Sequence, residues 1–126
     1  MKRVFFLSAV IMLIISVMCF SNVKNTPSYF DIVIEMGYTD VEREPCEIEY
    51  ITIPENFGAV YTKYNEMLKK EGYDLSAYKG ERCIRYTYFI PQHNARANIL
   101  VHNARIIGGD ICGITIDSIM IPIKRR

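Results

Sequence analysis

The stretch CIRYTYFIPQHNARANILVHNARIIGGDICGITID, residues 83–117, decides the fold. Side chains alternate along an extended chain, so Ile84, Tyr86, Tyr88 and Ile90 share one face and Cys83, Arg85, Thr87 and Phe89 the other. Pro91-Gln92-His93-Asn94 reads as a loop and Ala95 to His102 as the next strand. Asn103-Ala104 comes next as a tight turn, then a long strand from Arg105 to about Asp117. Connections this short predict an antiparallel meander.

Working outward, Cys46-Glu47-Ile48-Glu49-Tyr50 alternates as a half-buried strand does. It runs on through Ile51-Thr52-Ile53, where the apolar parity shifts and a bulge is expected. Pro54 stops it, and Glu55 suits a helix N-terminus. Phe57, Tyr61, Tyr64 and Leu68 then form one apolar stripe at helical spacing, and Gly72 ends that helix. Asp74 to Gly80 reads as one further helical turn with Asp74 as its cap. Upstream, Thr26-Pro27-Ser28 opens a shorter helix through Tyr29, Phe30, Val33 and Met36, closed by Gly37. The expected order is α-β-α-β-β-β: an α+β domain with helices packed on one face of a mostly antiparallel four-stranded sheet.

Lys2 and Arg3 precede an apolar run from Val4 to Phe20, interrupted only by Ser8, Ser16 and Cys19. The run is long for a signal-peptide core and just long enough to span a bilayer. The positive charges before it hold that end in the cytoplasm, so the chain beyond the run is expected outside. Residues 1–25 therefore read as a signal peptide or membrane anchor, and residues 26–126 as a single exported domain. Cleavage after Ser21 would secrete that domain; without cleavage, residues 4–20 make the membrane itself a partner and leave the domain single-pass and extracellular.

Fifteen basic and fourteen acidic residues nearly cancel. From Asp31 to Glu55 there are eight acidic side chains against Arg43 alone, and from Lys79 to Arg126 eight basic against three acidic. A nucleic-acid binder needs a concentrated basic surface, so no nucleic-acid partner is expected. Opposite charges facing each other across strands, or covering solvated faces, are the expected explanation of the pattern. Of four cysteines, Cys19 lies in the apolar run, which leaves Cys46, Cys83 and Cys112. No Cys/His spacing suits a metal, no pairing is deducible, and buried free thiols are expected.

The remaining features each have a plain structural explanation beside a functional one. Gly108-Gly109-Asp110 leads into Ile111-Cys112-Gly113-Ile114, which is β rather than the helix a phosphate cradle requires, so a bulge or close backbone approach is expected. His93 and His102 read as surface histidines, and Glu47 and Glu49 as a solvated strand face. Tyr61, Tyr64, Tyr86 and Tyr88 read as core. Ile119-Met120-Ile121-Pro122-Ile123 with Lys124-Arg125-Arg126 is expected to be a frayed strand with a solvated end, contact with anionic lipid or wall polymer being the alternative. No residue is assigned a catalytic, cofactor-binding or metal-binding role, and no cofactor is expected.

Three segments carry a resemblance. They are Glu49-Tyr50-Ile51-Thr52-Ile53-Pro54 with Phe57, Tyr61, Tyr64 and Asn65; Gly72-Tyr73-Asp74-Leu75 with Tyr78-Lys79-Gly80 and Arg85-Tyr86-Thr87-Tyr88; and Arg96-Ala97-Asn98-Ile99-Leu100-Val101 with Ile107-Gly108-Gly109-Asp110-Ile111-Cys112. Over roughly residues 28 to 117 the chain resembles the bacterial family called domain of unknown function 4830, of clostridia and relatives in the Firmicutes. The resemblance implies a Gram-positive, often anaerobic host, which suits free thiols, and it brings no catalytic residues. The function expected is a non-enzymatic cell-envelope module that binds an envelope protein or polymer. Two alternatives stand beside it: a secreted inhibitor or peptide-binding domain of cystatin-like architecture, and a thiol-dependent enzyme joining Cys83 or Cys112 to a histidine.

Overall fold

The computed structural model describes residues 28–115 and 119–125. Its elements are helix α1 (Phe30–Glu35), strand β1 (Glu47–Thr52), helix α2 (Ala59–Lys69), a 3-10 turn (Leu75–Tyr78), strands β2 (Arg82–Ile90), β3 (Ala95–His102), β4 (Arg105–Gly113) and β5 (Met120–Pro122). A second 3-10 turn, Pro91–His93, joins β2 to β3. The strands form one sheet in chain order, every neighbour antiparallel.

Two parts of the expected architecture are corrected. The sheet has five strands, not four, and the order is α-β-α-β-β-β-β. The strand expected to run from Arg105 to Asp117 ends at Gly113, and the expected frayed tail returns as β5, pairing Asp110 with Pro122 and Cys112 with Met120. Ile123 anchors the return: its N–H donates to the Gly109 carbonyl at 3.1 Å and its side chain is fully buried. Burying one isoleucine contributes about 1.5–3 kcal/mol, enough to hold a three-residue strand in place.

The helices also do not share a face. The Tyr29 ring, just before α1, packs 5.0 Å from Tyr86, and the Tyr29 N–H donates to the Tyr88 hydroxyl at 3.2 Å. Tyr64, on α2, reaches Asp110, whose cross-strand neighbours are Asn98 and then Thr87, on the opposite side of the sheet. The molecule is mostly sheet, with one short helix against each face. That is why Tyr86 and Tyr88 on one face and Cys83 and Thr87 on the other are all buried.

Smaller features obey the local chemistry. Gly37 takes φ +100 and closes α1 through its N–H to Ile34, with Tyr38 N–H returning to Val33. The expected start of that helix at Thr26-Pro27 lies outside the described residues. Asp74 caps the 3-10 turn through Ser76 N–H at 3.0 Å. Asn103 and Ala104 both adopt positive φ, +48 and +61, the geometry of a two-residue hairpin. The expected bulge in β1 is absent, because its pairing with β2 runs unbroken from Glu47↔Thr87 to Thr52↔Arg82. Its apolar parity shifts because Ile51 and Ile53 face inward while Ile48 and Tyr50 stay exposed on the other side. The bulge lies instead between β3 and β4, where Val101 pairs with Ile106 but Leu100 with Gly108.

Candidate functional site

The sheet face that carries α2 bears a row of polar side chains across three strands. Thr87, Asn98 and Asp110 are direct cross-strand neighbours on β2, β3 and β4. The Thr87 hydroxyl donates to Asn98 Oδ1 at 2.9 Å, and Asn98 Nδ2 donates to Asp110 Oδ2 at 3.2 Å. From α2 the Tyr64 hydroxyl donates to the other Asp110 oxygen at 2.7 Å. Each member satisfies the next, which is what makes a polar row tolerable beneath a helix.

Burial raises the Asp110 carboxyl above its ordinary value, against the Tyr64 and Asn98 hydrogen bonds and the nearby Arg85 guanidinium, which favour the charge. Burial, together with that carboxylate, pushes the Tyr64 hydroxyl far up, so it stays a donor. Because the folded pKa of Asp110 is above the ordinary 3.8, the folded protein holds that proton more tightly than the unfolded chain does. Ionising it therefore removes stability as pH rises from about 3.8 through the folded value. Asp110→Asn lacks this loss and keeps an acceptor for Tyr64. Its melting temperature relative to wild type should become more favourable as pH is raised from below 4 to 7. A difference that stays flat across that range would show that the Asp110 charge is fully compensated.

Beside the row, Arg85 pairs with Glu49 directly across from it on β1. Arg85 Nε is buried and has no hydrogen-bond partner among the described residues. Two adjoining hollows share Arg85, Asn98 and Cys112. One, about 270 Å³, is walled by Ile51, Tyr61, Leu100 and Met120; the other, about 350 Å³, opens toward Thr87, Arg96 and Glu47. Together they make a cleft that starts beside α2 and runs out over the sheet, with a guanidinium at its middle, an amide and a carboxyl on its floor, and apolar walls at the α2 end.

The structure gathers some of the residues singled out in the sequence here and leaves others apart. Glu47 and Glu49 lie on the α2 face at its open edge, both exposed as expected, and Glu49 also pairs with Arg85. Of the glycine triplet, only Asp110 belongs to the site. A Cβ on Gly108 would meet Leu68 Cδ1 at 2.8 Å, and one on Gly109 would press on the Asn98 carbonyl, so Gly108 makes room for a side chain of α2 and only Gly109 serves a close backbone approach. His93 faces Asp40 at 3.2 Å, and His102 sits by the Arg82 carbonyl at 3.1 Å. Neither borders the cleft that Cys112 lines, and Cys112 Sγ donates to the Gly113 carbonyl. The three cysteines are free; Cys83 is buried, with its thiol pushed up by that burial, whereas Cys46 is exposed, contrary to expectation. No group of three or more His, Cys, Asp or Glu side chains that would suit a metal occurs among the described residues. The Asn98–Asp110 pairing, the heart of the site, has no signature in the sequence.

No curated protein and no solved structure matches this chain. Residues 30–111, which cover β1 to β3, most of β4 and every side chain of the polar row, match the family described as domain of unknown function 4830. The chain belongs to that family.

Proposed function

We propose that this chain is a non-enzymatic binding module of the cell envelope, exported behind residues 4–20 and receiving a partner in the cleft along α2. The observation that supports binding is the Arg85 guanidinium at the middle of the cleft, its Nε without a hydrogen-bond partner among the described residues, beside a polar row whose members are already paired with one another. The guanidinium beyond Nε is partly exposed, and the donors that Glu49 leaves free are available to an acceptor group on a partner, with apolar contact at Tyr61 and Met120. The pairing of the polar groups with one another leaves the row as a rigid floor on which a partner can rest.

Two measurements test the proposal. A reporter fused after Arg126 should be active only outside the cytoplasm, because Lys2 and Arg3 hold the N-terminus inside; activity in the cytoplasm would end the envelope assignment. A photoreactive side chain at Met120, on the cleft wall, should trap one discrete partner in intact cells, and one at the exposed Lys63 of α2 should not. Identical labelling from both positions would remove the cleft as the binding site.

A further inference from the structure

A second, larger hollow of about 630 Å³ lies away from the α2 cleft, at the part of β4 that β5 leaves unpaired. Its lining brings together both ends of the described chain. Ser28 and Tyr29 contribute from the start of the domain, Arg125 from its far end, and Arg105, Ile106 and Tyr78 from between. Arg125 is fixed there, donating from Nη1 to the Gly72 carbonyl at 3.0 Å. The exposed Arg105 side chain has no ion-pair partner among the described residues. The one acid in the lining, Asp74, is held ionised by hydrogen bonds from Asn65 and Ser76, down to about 2, so the lining sets two positive charges against one negative.

The position of this hollow gives it a natural occupant. Ser21 to Pro27 separate the apolar run from Ser28, and seven residues reach no farther than about 25 Å. If the run stays in the bilayer, the hollow's mouth is confined close to the membrane surface. Two arginines there match phosphate, which guanidinium groups bind through paired hydrogen bonds. Tyrosines beside them match the amphipathic belt that sits at headgroup depth. We infer that this hollow takes the phosphate of an anionic phospholipid, so that the domain docks against the membrane that tethers it. The inference rests on the tether in the proposed function and not on the α2 cleft.

The test uses the whole chain in a non-ionic detergent, titrated with a short-chain phosphatidylglycerol, its phosphatidylcholine counterpart, or inorganic phosphate. Phosphatidylglycerol should bind at least tenfold more tightly than either control. Each arginine near a membrane surface contributes roughly a fivefold gain, so Arg105→Gln with Arg125→Gln should weaken binding by about 25-fold. Arg105→Gln alone should weaken it about fivefold at unchanged melting temperature, which guards against a folding defect from losing the Gly72 contact. Equal binding of phosphatidylcholine, or inorganic phosphate binding as tightly as the lipid, would overturn the inference. Carbonate extraction of cell membranes separates it from the tether. A chain that is released yet keeps its phosphatidylglycerol preference loses the anchor but retains the lipid site. A chain that is retained without that preference loses the lipid site alone.

Discussion

Gly109→Ala is expected to cost about 3–5 kcal/mol, combining a strained backbone with an overfilled core. Gly109 has φ +152, where an L side chain is rarely found, and it lies inside β4 opposite Ile99. A Cβ there would press against the Asn98 carbonyl oxygen, approach Ile123 Cδ1 to 2.9 Å and sit 3.2 Å from the Ile99 Cα. Two of those three neighbours are backbone of β3, which is paired on both sides and cannot retreat. The third is the isoleucine that anchors β5, so relief in that direction would free the last strand. Set against a total stability of about 5–15 kcal/mol, such a loss leaves a marginal fold. Thermal unfolding should show a melting temperature at least roughly 12 °C below wild type, or no cooperative transition. An alanine variant melting with wild type would mean that the glycine pair is tolerant, and a ligand role for the triplet would return.

This same strand shows where local pattern stops being informative. The two faces of Cys83–Ile90 and the strand character of Ala95–His102 are legible, and Asn103-Ala104 places the turn. The helix stripe through Leu68 and the cap at Asp74 are equally plain, since each depends on neighbours within one turn. Counting outward from the His102↔Arg105 pair, however, puts Asn98 opposite Gly109. The bulge after Ile106 shifts the register by one residue and brings Asp110 to Asn98 instead. A single extra residue thus decides whether the buried carboxyl finds its amide. No local signal in Ile106-Ile107-Gly108 says on which residue the shift falls. The fifth strand is hidden for a related reason: Met120–Pro122 is too short to show a period, and only the long-range contact of Ile123 fixes it. Helix placement is illegible too, because periodicity reports which side of a helix is apolar and not which side of the sheet it covers.

The close fit of Gly108 against α2 can be measured as a coupling. Leu68 is fully buried, and its Cδ1 occupies the space where a Cβ on Gly108 would lie, at 2.8 Å, with Leu75 Cδ2 next at 3.5 Å. Leu68→Ala alone should cost about 2–5 kcal/mol, the lost transfer energy plus the cavity beneath α2. Gly108→Ala alone should cost about 1–3 kcal/mol, because the end of a leucine can move but this one is enclosed by the turn at Leu75. In the double variant the added methyl enters the space that Leu68 vacates, so the clash disappears and part of the cavity fills. The double variant should therefore be no less stable than Leu68→Ala, a favourable coupling of about 1–3 kcal/mol. Denaturant unfolding of all four proteins gives that number directly, provided the dependence on denaturant is unchanged. Additive costs would mean that Gly108 is required by its own backbone and not by the helix above it. The coupling expected here would make this contact the point where α2, and with it the hydroxyl of Tyr64 that holds Asp110, is set against the sheet.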